Sequence, residues 1–445
     1  MPEDRAGRSP WAPPRYRAVV VGPSPHPIDA VVTVPGSKSL TNRALLLAAV
    51  AEGTSHLAGV LRADDTYWCL DALRRLGVAV SLEGDDVTVE GCGGRWMVQE
   101  AVLHAGAAGT VARFLPGLLA AAPAGVWQLD GSEQLRSRPL APLVEGLQAL
   151  GGRVSPGPGG GLPLQIQGGG LRGGRVRVPG STSSQFLSGL LLAAPLAKEP
   201  VTLELEDHLV QPAYVAMTVA MMRRFGAHVE HDPDWRRFRV EPGPYRAVDQ
   251  VLEADASTAG YFLALAAASG GRVRVTNVGT ASLQPDVHLV DVLERMGARV
   301  LRDEGFLEVE GQGRLHGGFT VDMNPMSDQA LTVGVLAALA DGPVTVTGVG
   351  HIRKHESDRI GVLAGNLERL GARVEEHDDG FTVTPGPLRP GTVDPHDDHR
   401  VAMAFALLGS QVEGIRILEP ACVAKTYPEF FEALARLGVA IRFEA

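Results

Sequence analysis

The stretch Leu73-Arg74-Arg75-Leu76-Gly77-Val78-Ala79-Val80 ends a helical pattern on a glycine and continues directly into a β pattern. The same order, an apolar residue followed by glycine, recurs at intervals of about 70 residues, which identifies a repeat protein. The six copies are Leu76-Gly77, Leu150-Gly151, Phe225-Gly226, Met296-Gly297, Leu370-Gly371 and Leu437-Gly438. Glycine suits a helix end with positive φ, so each copy predicts a helix followed by a hairpin.

A second feature of every repeat is a stretch that is apolar all round, which predicts a fully buried helix. The six stretches are residues 44–50, 114–122, 186–196, 259–268, 331–340 and 401–408. Polar clusters precede them, and the Ser, Thr and Asp residues in these clusters are good N-caps. If the six helix starts converge, their bare N–H groups and dipoles predict a small polyanionic ligand.

Composition sets further bounds. With 445 residues, 45% of them hydrophobic, the chain can bury two cores, so three repeats per domain is the natural division. The net charge of −10 argues against nucleic acid or an anionic membrane surface as a partner. No stretch has the length of a membrane span, and the N-terminus lacks the apolar core of a secretion signal.

The cysteines and the N-terminus complete this picture. Cys69, Cys92 and Cys422 show no paired spacing, which favours a reducing cytoplasm and no structural metal. Residues 1–16 are rich in proline and arginine, and we expect them to form a disordered tail.

The polar cluster before the first apolar stretch contains cations as well as capping residues. Its sequence is Pro35-Gly36-Ser37-Lys38-Ser39-Leu40-Thr41-Asn42-Arg43. It places Lys38 and Ser39 at a helix start and Arg43 about one turn further on, where charge, dipole and hydroxyl can hold a carboxylate or phosphate. An isolated motif of this length matches by chance and describes an ordinary capped helix equally well.

The motif is not isolated, because further landmarks follow it in order: Gly109-Thr110 with Arg113, Arg138-Pro139, Ser183-Ser184-Gln185-Phe186, Asp328, Glu356-Ser357-Asp358-Arg359, Asp398-His399-Arg400 and Lys425-Thr426-Tyr427-Pro428. Together with the six repeats, this set resembles the enolpyruvyl transferase family, and within it the 5-enolpyruvylshikimate-3-phosphate synthases. The resemblance covers residues 30 to 435.

The resemblance implies an α/β fold of two domains, each made of three βαβαββ units around buried helices, the inside-out α/β barrel of that family. The first domain would span 36–253, and the second 17–35 plus 254–445, with the active site in the cleft between them. The implied reaction transfers the enolpyruvyl group of phosphoenolpyruvate to the 5-hydroxyl of shikimate 3-phosphate and releases phosphate, a step of chorismate and aromatic amino acid biosynthesis. It uses small-molecule substrates and needs no cofactor or metal, and we expect a cytoplasmic monomer.

Site residues follow from the resemblance position by position. Those expected to bind shikimate 3-phosphate are Lys38, Ser39, Arg43, Ser183, Ser184, Gln185, Gln211, Asp328, His351 and His355. Those expected to bind phosphoenolpyruvate are Lys38, Gly109, Arg138, Gln185, Arg359, Arg400 and Lys425. Asp328 would accept the hydroxyl proton, and Glu356 and Lys38 are candidates for delivering a proton to the methylene carbon. Taken singly, Asp328 is also explained as an N-cap, Glu356 as an exposed glutamate beside a cation, and each arginine as a surface ion pair.

Three positions depart from the family pattern. His351 and His355 stand where many members have Asn and Lys, so we expect acceptor binding to vary with pH near 6 to 7. Gln211 stands where the family commonly has Ser, which leaves room for a related acceptor.

Gly109 leaves space for glyphosate in this family, and we expect Gly109→Ala to reduce sensitivity to it.

Three other interpretations stay open. The nucleotide-sugar enolpyruvyl transferases use a cysteine acid, for which Cys69 and Cys92 are poor matches, as a core thiol and a turn residue. A non-catalytic binding scaffold has no need of Asp328 and Glu356. A nucleic-acid end-processing enzyme is expected to show a basic face, against the net charge of −10.

Overall fold

The computed structural model describes residues 7–445 of the chain. Its α-helices in chain order are α1 Lys38–Val50, α2 Asp64–Arg75, α3 Gly109–Ala120, α4 Glu133–Arg136, α5 Ala141–Ala149, α6 Ser184–Ala193, α7 Pro212–Arg224, α8 Ala256–Ser269, α9 Leu289–Arg295, α10 Ala330–Ala338, α11 Arg359–Leu370, α12 His399–Gly409 and α13 Phe430–Arg436. Short 3₁₀ turns span Pro158–Gly160, Ala194–Leu196, Pro285–His288, Asn324–Gln329, Gly350–Lys354 and Pro420–Lys425.

The strands in chain order are β1 Ala18–Gly22, β2 Asp29–Val32, β3 Glu52–Ala58, β4 Ala79–Glu83, β5 Asp86–Cys92, β6 Glu100–His104, β7 Val126–Asp130, β8 Arg153–Ser155, β9 Leu164–Gln167, β10 Gly174–Val178, β11 Val201–Leu205, β12 Val229–His231, β13 Arg237–Val240, β14 Asp249–Val251, β15 Arg272–Val275, β16 Arg299–Arg302, β17 Leu307–Glu310, β18 Phe319–Asp322, β19 Val344–Thr347, β20 Arg373–His377, β21 Gly380–Thr384, β22 Gly391–Val393, β23 Ile415–Leu418 and β24 Ala440–Glu444.

These strands form four-stranded sheets that share one pattern, a parallel pair followed by two antiparallel pairings. The orders are β14-β3-β5-β4, β6-β7-β9-β8, β10-β11-β13-β12, β16-β17-β15-β2, β18-β19-β21-β20 and β22-β23-β1-β24. In the second of them the chain runs β6, α3, β7, the one-turn helix α4, α5, β8, β9, which is the predicted βαβαββ unit with one short helix added. The predicted α/β fold class is confirmed.

The repeated glycines end the helices as the sequence predicts. Their φ angles are all positive: Gly77 83°, Gly151 89°, Gly226 86°, Gly297 98°, Gly371 107° and Gly438 94°. Each of these glycines follows one of the helices α2, α5, α7, α9, α11 and α13 and precedes the next strand. A Cβ would be strained at such angles, which explains why glycine recurs at this position.

The chain forms two compact units. Unit 1 contains Gly36–Glu253 together with the described residues before Ala12, and unit 2 contains Ala12–Pro35 and Ala254–Ala445. Each unit has its own apolar core. The six buried helices predicted from the sequence are α1, α3 and α6 in unit 1 and α8, α10 and α12 in unit 2. In residues 7–445 no helix combines the length and apolar character that a membrane crossing requires.

Distant strands complete two of the repeats in unit 2. Strand β2 pairs in parallel with β15, and β1 lies between β23 and β24. In unit 1, β14 pairs in parallel with β3, although the two are about 190 residues apart. These pairings do not follow from the local repeat, because each strand is supplied from outside its own repeat.

The prediction of a disordered tail over residues 1–16 does not hold for its described part. Residues 1–6 lie outside the described residues. Ser9 and Trp11 pack on unit 1, and Tyr16 stacks on Phe443 of unit 2 with ring centroids 4.4 Å apart. Composition alone suggested disorder, whereas aromatic and hydrogen-bonding side chains give this segment specific contacts.

Candidate active site

The starts of the three buried helices of unit 1 lie together. The Arg43 guanidinium of α1 lies 4.9 Å from the ring centroid of Phe114 on α3, and that of Arg113 on α3 lies 5.7 Å from the ring of Phe186 on α6. All four residues belong to the first two turns of their helices. Within unit 1, this confirms that the polar helix starts converge.

The first turns of α1 carry the predicted cations Lys38 and Arg43. Ser37 caps the helix by accepting from the Leu40 N–H at 3.4 Å, and Ser39 O accepts from Arg43 Nη1 at 2.9 Å. Lys38 Nζ lies 3.7 Å from Oδ2 of Asp65, a carboxylate at the start of α2 that is 1% exposed. Sequence reasoning missed Asp65, although an acidic pair opening a helix was visible at 64–65.

Arg43 is a buried cation whose hydrogen-bond partners in the described chain are neutral. It is 1% exposed, and Nε donates to Thr218 Oγ1 at 2.8 Å and Nη2 to Tyr214 O at 3.3 Å. Burial lowers the pKa of Arg43 to about 10, partly offset by Tyr214, so the guanidinium stays charged at neutral pH. A positive charge without a facing carboxylate is available to an anion.

Gly109, the first residue of α3, lies against two guanidinium groups. A Cβ at this position would be 2.7 Å from Arg113 Nη1 and 2.8 Å from Arg138 Nη1. Arg113 Nη1 also donates to Gly109 O at 3.2 Å. Only glycine therefore leaves both arginines where they are.

The expectation that a side chain caps α3 is wrong. Its N-cap is Ala108, and Thr110 instead accepts from Asn42 Nδ2 at 2.7 Å.

Ser183, Ser184 and Gln185 open α6. Ser183 Oγ accepts from the Gln185 N–H at 3.2 Å, and Ser184 is 2% exposed. Gln185 Oε1 is buried and has no hydrogen-bond partner among the described residues. Buried acceptors are seldom left unpaired, so this oxygen is suited to a donor that a ligand brings.

Gln211 directly precedes α7 in a left-handed conformation (φ 51°) and is buried.

We refer to Lys38, Ser39, Arg43, Gly109, Arg138, Ser183, Ser184 and Gln185 as the unit 1 cluster. The unit 2 cluster comprises Asp328, His351, His355, Glu356, Arg359, Asp398, Arg400 and Lys425.

Arg359, the first residue of α11, is the centre of the unit 2 cluster. It is 1% exposed and donates to three carboxylates: Nη1 to Asp328 Oδ1 at 3.0 Å, Nη2 to Glu356 Oε2 at 2.9 Å and Nε to Asp398 Oδ2 at 2.8 Å. Burial acts against its charge, but these carboxylates outweigh it and raise the pKa of Arg359 above its ordinary value. The arginine is therefore permanently charged.

Two further cations complete the cluster. Arg400 Nη2 donates to Asp328 Oδ2 at 2.7 Å, and Lys425 Nζ lies 3.1 Å from Glu356 Oε1. Both oxygens of Asp328 and both of Glu356 thus face a cation. The alternative explanation of Glu356 as an exposed residue is wrong, since its side chain is 8% exposed.

Asp328 is not the cap of α10, contrary to one of the sequence-based explanations. It lies in the 3₁₀ turn Asn324–Gln329, and the N-cap of α10 is Gln329, with no side-chain cap bond. Asp398 is the N-cap of a different helix, α12, where it accepts from the Arg400 N–H at 3.0 Å while binding Arg359. The polar cluster before α12 predicted a capping residue there, but not that Asp398 would also bind Arg359.

The two histidines contact the same cluster. His351 Nε2 lies 2.8 Å from Ser327 Oγ, and the two imidazole rings are 5.5 Å apart. Arg359 Nη1 donates to His355 Nδ1 at 3.1 Å, which leaves the ring proton on Nε2. Loss of surrounding water, and next the Arg359 charge, hold the pKa of His355 well below 6.5. The expectation that His355 changes charge between pH 6 and 7 is therefore wrong.

Asp286 is a buried carboxylate that sequence reasoning missed. It is 2% exposed, and its Oδ1 accepts from Ser257 Oγ at 2.7 Å and from Gln329 Nε2 at 3.2 Å. Burial, and next the charge of Asp328, raise the pKa of Asp286 to about 6. The sequence signal for Asp286 was its place in the Gln284-Pro285-Asp286 turn before α9. Nothing in the local sequence, however, indicates that Asp286 lies near Asp328.

The geometry supports proton transfer beside bound anions. Asp328 and Glu356 are joined by one guanidinium, so two carboxylates are held at a fixed separation by a group that cannot itself lose a proton. In residues 7–445, no three His, Cys, Asp or Glu side chains are grouped as metal ligands would be.

Comparisons with known proteins agree on one family. The family model described as EPSP synthase (3-phosphoshikimate 1-carboxyvinyltransferase) matches residues 23–434. A 3-phosphoshikimate 1-carboxyvinyltransferase 2 of Halalkalibacterium halodurans is 48% identical over 99% of both chains. The chloroplastic 3-phosphoshikimate 1-carboxyvinyltransferase of Solanum lycopersicum is 42% identical over 92% of this chain and 82% of its own. The structure of EPSP synthase from Acinetobacter baumannii superposes with a TM-score of 0.79 at 27% identity, covering 97% of this chain and all of the other.

Proposed function

Because the chain belongs to the EPSP synthase family, we propose that it transfers the enolpyruvyl group of phosphoenolpyruvate to the 5-hydroxyl of shikimate 3-phosphate. The products are the enolpyruvyl ether and inorganic phosphate. Both substrates carry a phosphate and a carboxylate, which suits the cations and helix starts of the two clusters.

The observation that carries the proposal is the pair of carboxylates held by Arg359. Asp328 Oδ1 and Glu356 Oε2 accept from Nη1 and Nη2 of the same guanidinium, at 3.0 and 2.9 Å. Addition requires a base for the acceptor hydroxyl and an acid for the methylene carbon, and both must reverse their roles during elimination. A shared, permanently charged arginine keeps the two groups in place through both steps.

We assign the steps as follows. Asp328 takes the proton of the 5-hydroxyl of shikimate 3-phosphate while the oxygen of that hydroxyl bonds to the central carbon of phosphoenolpyruvate. Glu356 or Lys38 protonates the methylene carbon. The product of this addition is a tetrahedral intermediate. The new methyl group then returns a proton and phosphate leaves with the C–O bonding pair, which restores the carbon–carbon double bond. Arg359, Arg400 and Lys425 stabilise the negative charge of the phosphate and carboxylate.

The unit 1 cluster has a binding role in this proposal. Lys38, Ser39, Arg43, Ser183 and Ser184 hold the shikimate ester, together with Gln211 from outside the cluster. Gly109 and Arg138 hold phosphoenolpyruvate, and Lys38 and Gln185 reach both substrates. His355, which is neutral, contacts the acceptor hydroxyls together with His351. The lowered pKa of His355 supports hydrogen bonding without a change of charge.

A cysteine-based mechanism is less well supported. Cys69 has no exposed surface, and Cys92 lies at the end of β5 and is partly exposed. Burial raises the pKa of both thiols. Neither therefore resembles a reactive acid in a mobile loop. Cys92 is also a strand residue, so its expected place in a turn is wrong.

The test is phosphate release from phosphoenolpyruvate by the purified chain, with shikimate 3-phosphate, with unphosphorylated shikimate, and with a nucleotide-sugar acceptor. We expect release only with shikimate 3-phosphate. Release with another acceptor alone would replace the proposed substrate and would point to Gln211 and His351 as the altered contacts.

The assembly and location of the enzyme stay predictions. We propose a monomer that acts in the cytoplasm on small-molecule substrates, without nucleic acid or membrane as partner. Light scattering coupled to gel filtration tests the first part, and fractionation of the source cells tests the second.

A further inference from the structure

A short N-terminal segment, residues 7–11, lies on unit 1 beside residues that the proposed function uses. We refer to it as the N-terminal clip. It precedes the repeats and has no counterpart in the βαβαββ pattern. Its contacts go to the first two turns of α2, to Arg62 just before that helix, and to the loop before α3.

The first contact is a buried carboxylate held by the clip. Asp64 is 1% exposed, and its Oδ1 accepts from Ser9 Oγ at 2.5 Å and from the Ser9 N–H at 3.1 Å. Arg8 Nη1 lies 3.5 Å from Asp64 Oδ2, and its side chain is largely buried. Ser9 is itself buried and also accepts from the Trp11 N–H at 3.0 Å. A buried carboxylate needs such donors, so Asp64 depends on the clip.

The second contact is made by backbone against backbone. Gly7 has φ +68°, and a Cβ there would lie 2.8 Å from Ala107 N and from the Gly106 carbonyl carbon. Gly7 O accepts from Trp68 Nε1 at 2.7 Å, and the Trp11 ring meets the Tyr67 ring edge-on at 5.3 Å. The clip therefore touches the loop two residues before Gly109 and covers the outer face of α2.

Both contact points adjoin the unit 1 cluster. Asp64 is followed by Asp65, whose carboxylate lies 3.7 Å from Lys38 Nζ. Asn42 Nδ2 donates to Thr110 Oγ1 at 2.7 Å and reaches Asp65 O at 3.5 Å, so the first turns of α2 and α3 are joined through α1. Movement of the first turn of α2 would displace Asp65 and Lys38, and movement of the loop would displace Gly109 and its two arginines.

We propose that the N-terminal clip is a positioning element of the active site, in which Ser9 fixes the α2 start and Gly7 fixes the loop before Gly109, so that Lys38 and the Gly109 arginines are preorganised for phosphoenolpyruvate. The inference rests on the proposed function for the roles of Lys38 and Gly109. Preorganisation improves affinity because the ligand does not have to order these groups on binding.

The clip contacts only part of the cluster, and this makes the proposal specific. None of its described hydrogen bonds, ion pairs or ring contacts reaches the α6 start, where Ser183 and Ser184 await the shikimate phosphate. Loosening the clip should therefore weaken phosphoenolpyruvate more than shikimate 3-phosphate. A loss of folding alone would not separate the two substrates.

The experiment compares full-length wild type with Ser9→Ala, Ser9→Thr and Gly7→Val. For Ser9→Ala and Gly7→Val we expect the KM for phosphoenolpyruvate to rise about five- to tenfold, with the KM for shikimate 3-phosphate within twofold. Ser9→Thr retains the hydroxyl and should restore the wild-type KM. Ser155→Ala, an exposed serine on β8 of the same unit, is the matched control and should change neither constant.

Unchanged KM values in Ser9→Ala and Gly7→Val, or an equal rise for both substrates, would overturn the proposal, even if the melting temperature falls. The wild-type assay separates this failure from that of the proposed function. An inactive wild type contradicts the reaction, whereas an active wild type with insensitive variants contradicts only the role of the clip.

Discussion

The two clusters bring cations together in opposite ways. In unit 1, Arg43 is buried among a hydroxyl and two carbonyl oxygens, and Lys38 has Asp65 at 3.7 Å. In unit 2, Arg359 contacts three carboxylates within 3.0 Å, while Arg400 and Lys425 each contact one. The unit 1 cluster keeps positive charge available, and the unit 2 cluster largely neutralises its own.

This difference indicates a division of labour. A cation with neutral partners gains most from an incoming anion, so the unit 1 cluster is suited to binding. A network of carboxylates and cations holds proton-transfer groups in fixed positions, so the unit 2 cluster is suited to chemistry. The following changes test the contrast, starting with the largest expected effect.

Arg359→Ala is expected to have the largest effect. It leaves Asp328, Glu356 and the fully buried Asp398 without their shared counter-charge. Breaking a buried ion pair costs about 3–5 kcal/mol, so we expect the free energy of unfolding to fall by that amount. Loss of the charge at the reacting phosphate should lower kcat/KM by about 10³-fold. Urea unfolding and steady-state kinetics measure the two effects.

The control for this change is Arg353→Ala on the preceding turn. Arg353 is only partly buried and pairs with Asp358 at 3.0 Å and Glu376 at 2.9 Å. Such pairs contribute about 0–1 kcal/mol, so this variant should remain close to wild type. Equal stability of the two variants would show that the unit 2 network is no more than a set of surface ion pairs.

Gly109→Ala tests the unit 1 cluster without removing a charge. The new methyl group would press on Arg113 Nη1 and Arg138 Nη1, whose flexible side chains can move. We expect the free energy of unfolding to change by less than about 1 kcal/mol and the KM for phosphoenolpyruvate to rise about tenfold, equivalent to about 1.4 kcal/mol. Sensitivity to glyphosate should fall in the same variant.

Gly365→Ala is the matched control, because a Cβ on this exposed residue of α11 meets nothing within 4 Å. Gly365→Ala should leave the KM for phosphoenolpyruvate and the inhibition by glyphosate unchanged. A Gly109→Ala enzyme with wild-type KM and wild-type inhibition would contradict the placement of the two arginines at the phosphoenolpyruvate pocket.

The effect expected for His355 appears only as the pH changes. Its pKa in the folded chain lies well below 6.5, so the unfolded chain binds a proton that the folded chain does not. The resulting contribution to stability is complete above pH 6.5 and is lost as the pH falls below it, at up to about 1.4 kcal/mol per pH unit. His355→Gln should therefore lose less stability than wild type between pH 7 and pH 5.

The same shift predicts that the charge of His355 does not affect the acceptor KM between pH 6 and 8.5. The acceptor KM of wild type and of His355→Gln should therefore vary with pH in parallel. Exposed His228 provides the control substitution, His228→Gln. A histidine-dependent step in acceptor KM near pH 6.5 would show that His355 becomes charged in the folded enzyme.

Sequence periodicity predicted the repeats because each depends on local features. The glycines after α2, α5, α7, α9, α11 and α13 have the positive φ that their position requires. The buried helices were visible as apolar stretches, although each helix starts one to six residues before the predicted stretch. Lys38 and Arg43 lie at the start of α1 and about one turn further on, as their motif predicted, because nothing in Ser39-Leu40-Thr41-Asn42 breaks a helix.

What the sequence could not predict depends on residues far apart in the chain. Asp398 and Asp328 meet at Arg359, and Asp286 meets Gln329, only after the helices have packed. The lowered pKa of His355 follows from that same arginine. Residues 7–11 carry no periodicity, so composition indicated a tail where Ser9 and Trp11 have specific partners.

The most direct test of the division of labour compares Asp328→Asn with Arg138→Lys in the phosphate-release assay with shikimate 3-phosphate. For Asp328→Asn we expect kcat to fall by at least about 10²-fold without a rise in the KM for phosphoenolpyruvate, because Arg359 and Arg400 lose a competing carboxylate. For Arg138→Lys we expect the KM for phosphoenolpyruvate to rise about tenfold with kcat within about threefold, because an ammonium cannot replace the planar fork. The same pattern in both variants, or a wild-type kcat in Asp328→Asn, would contradict the account.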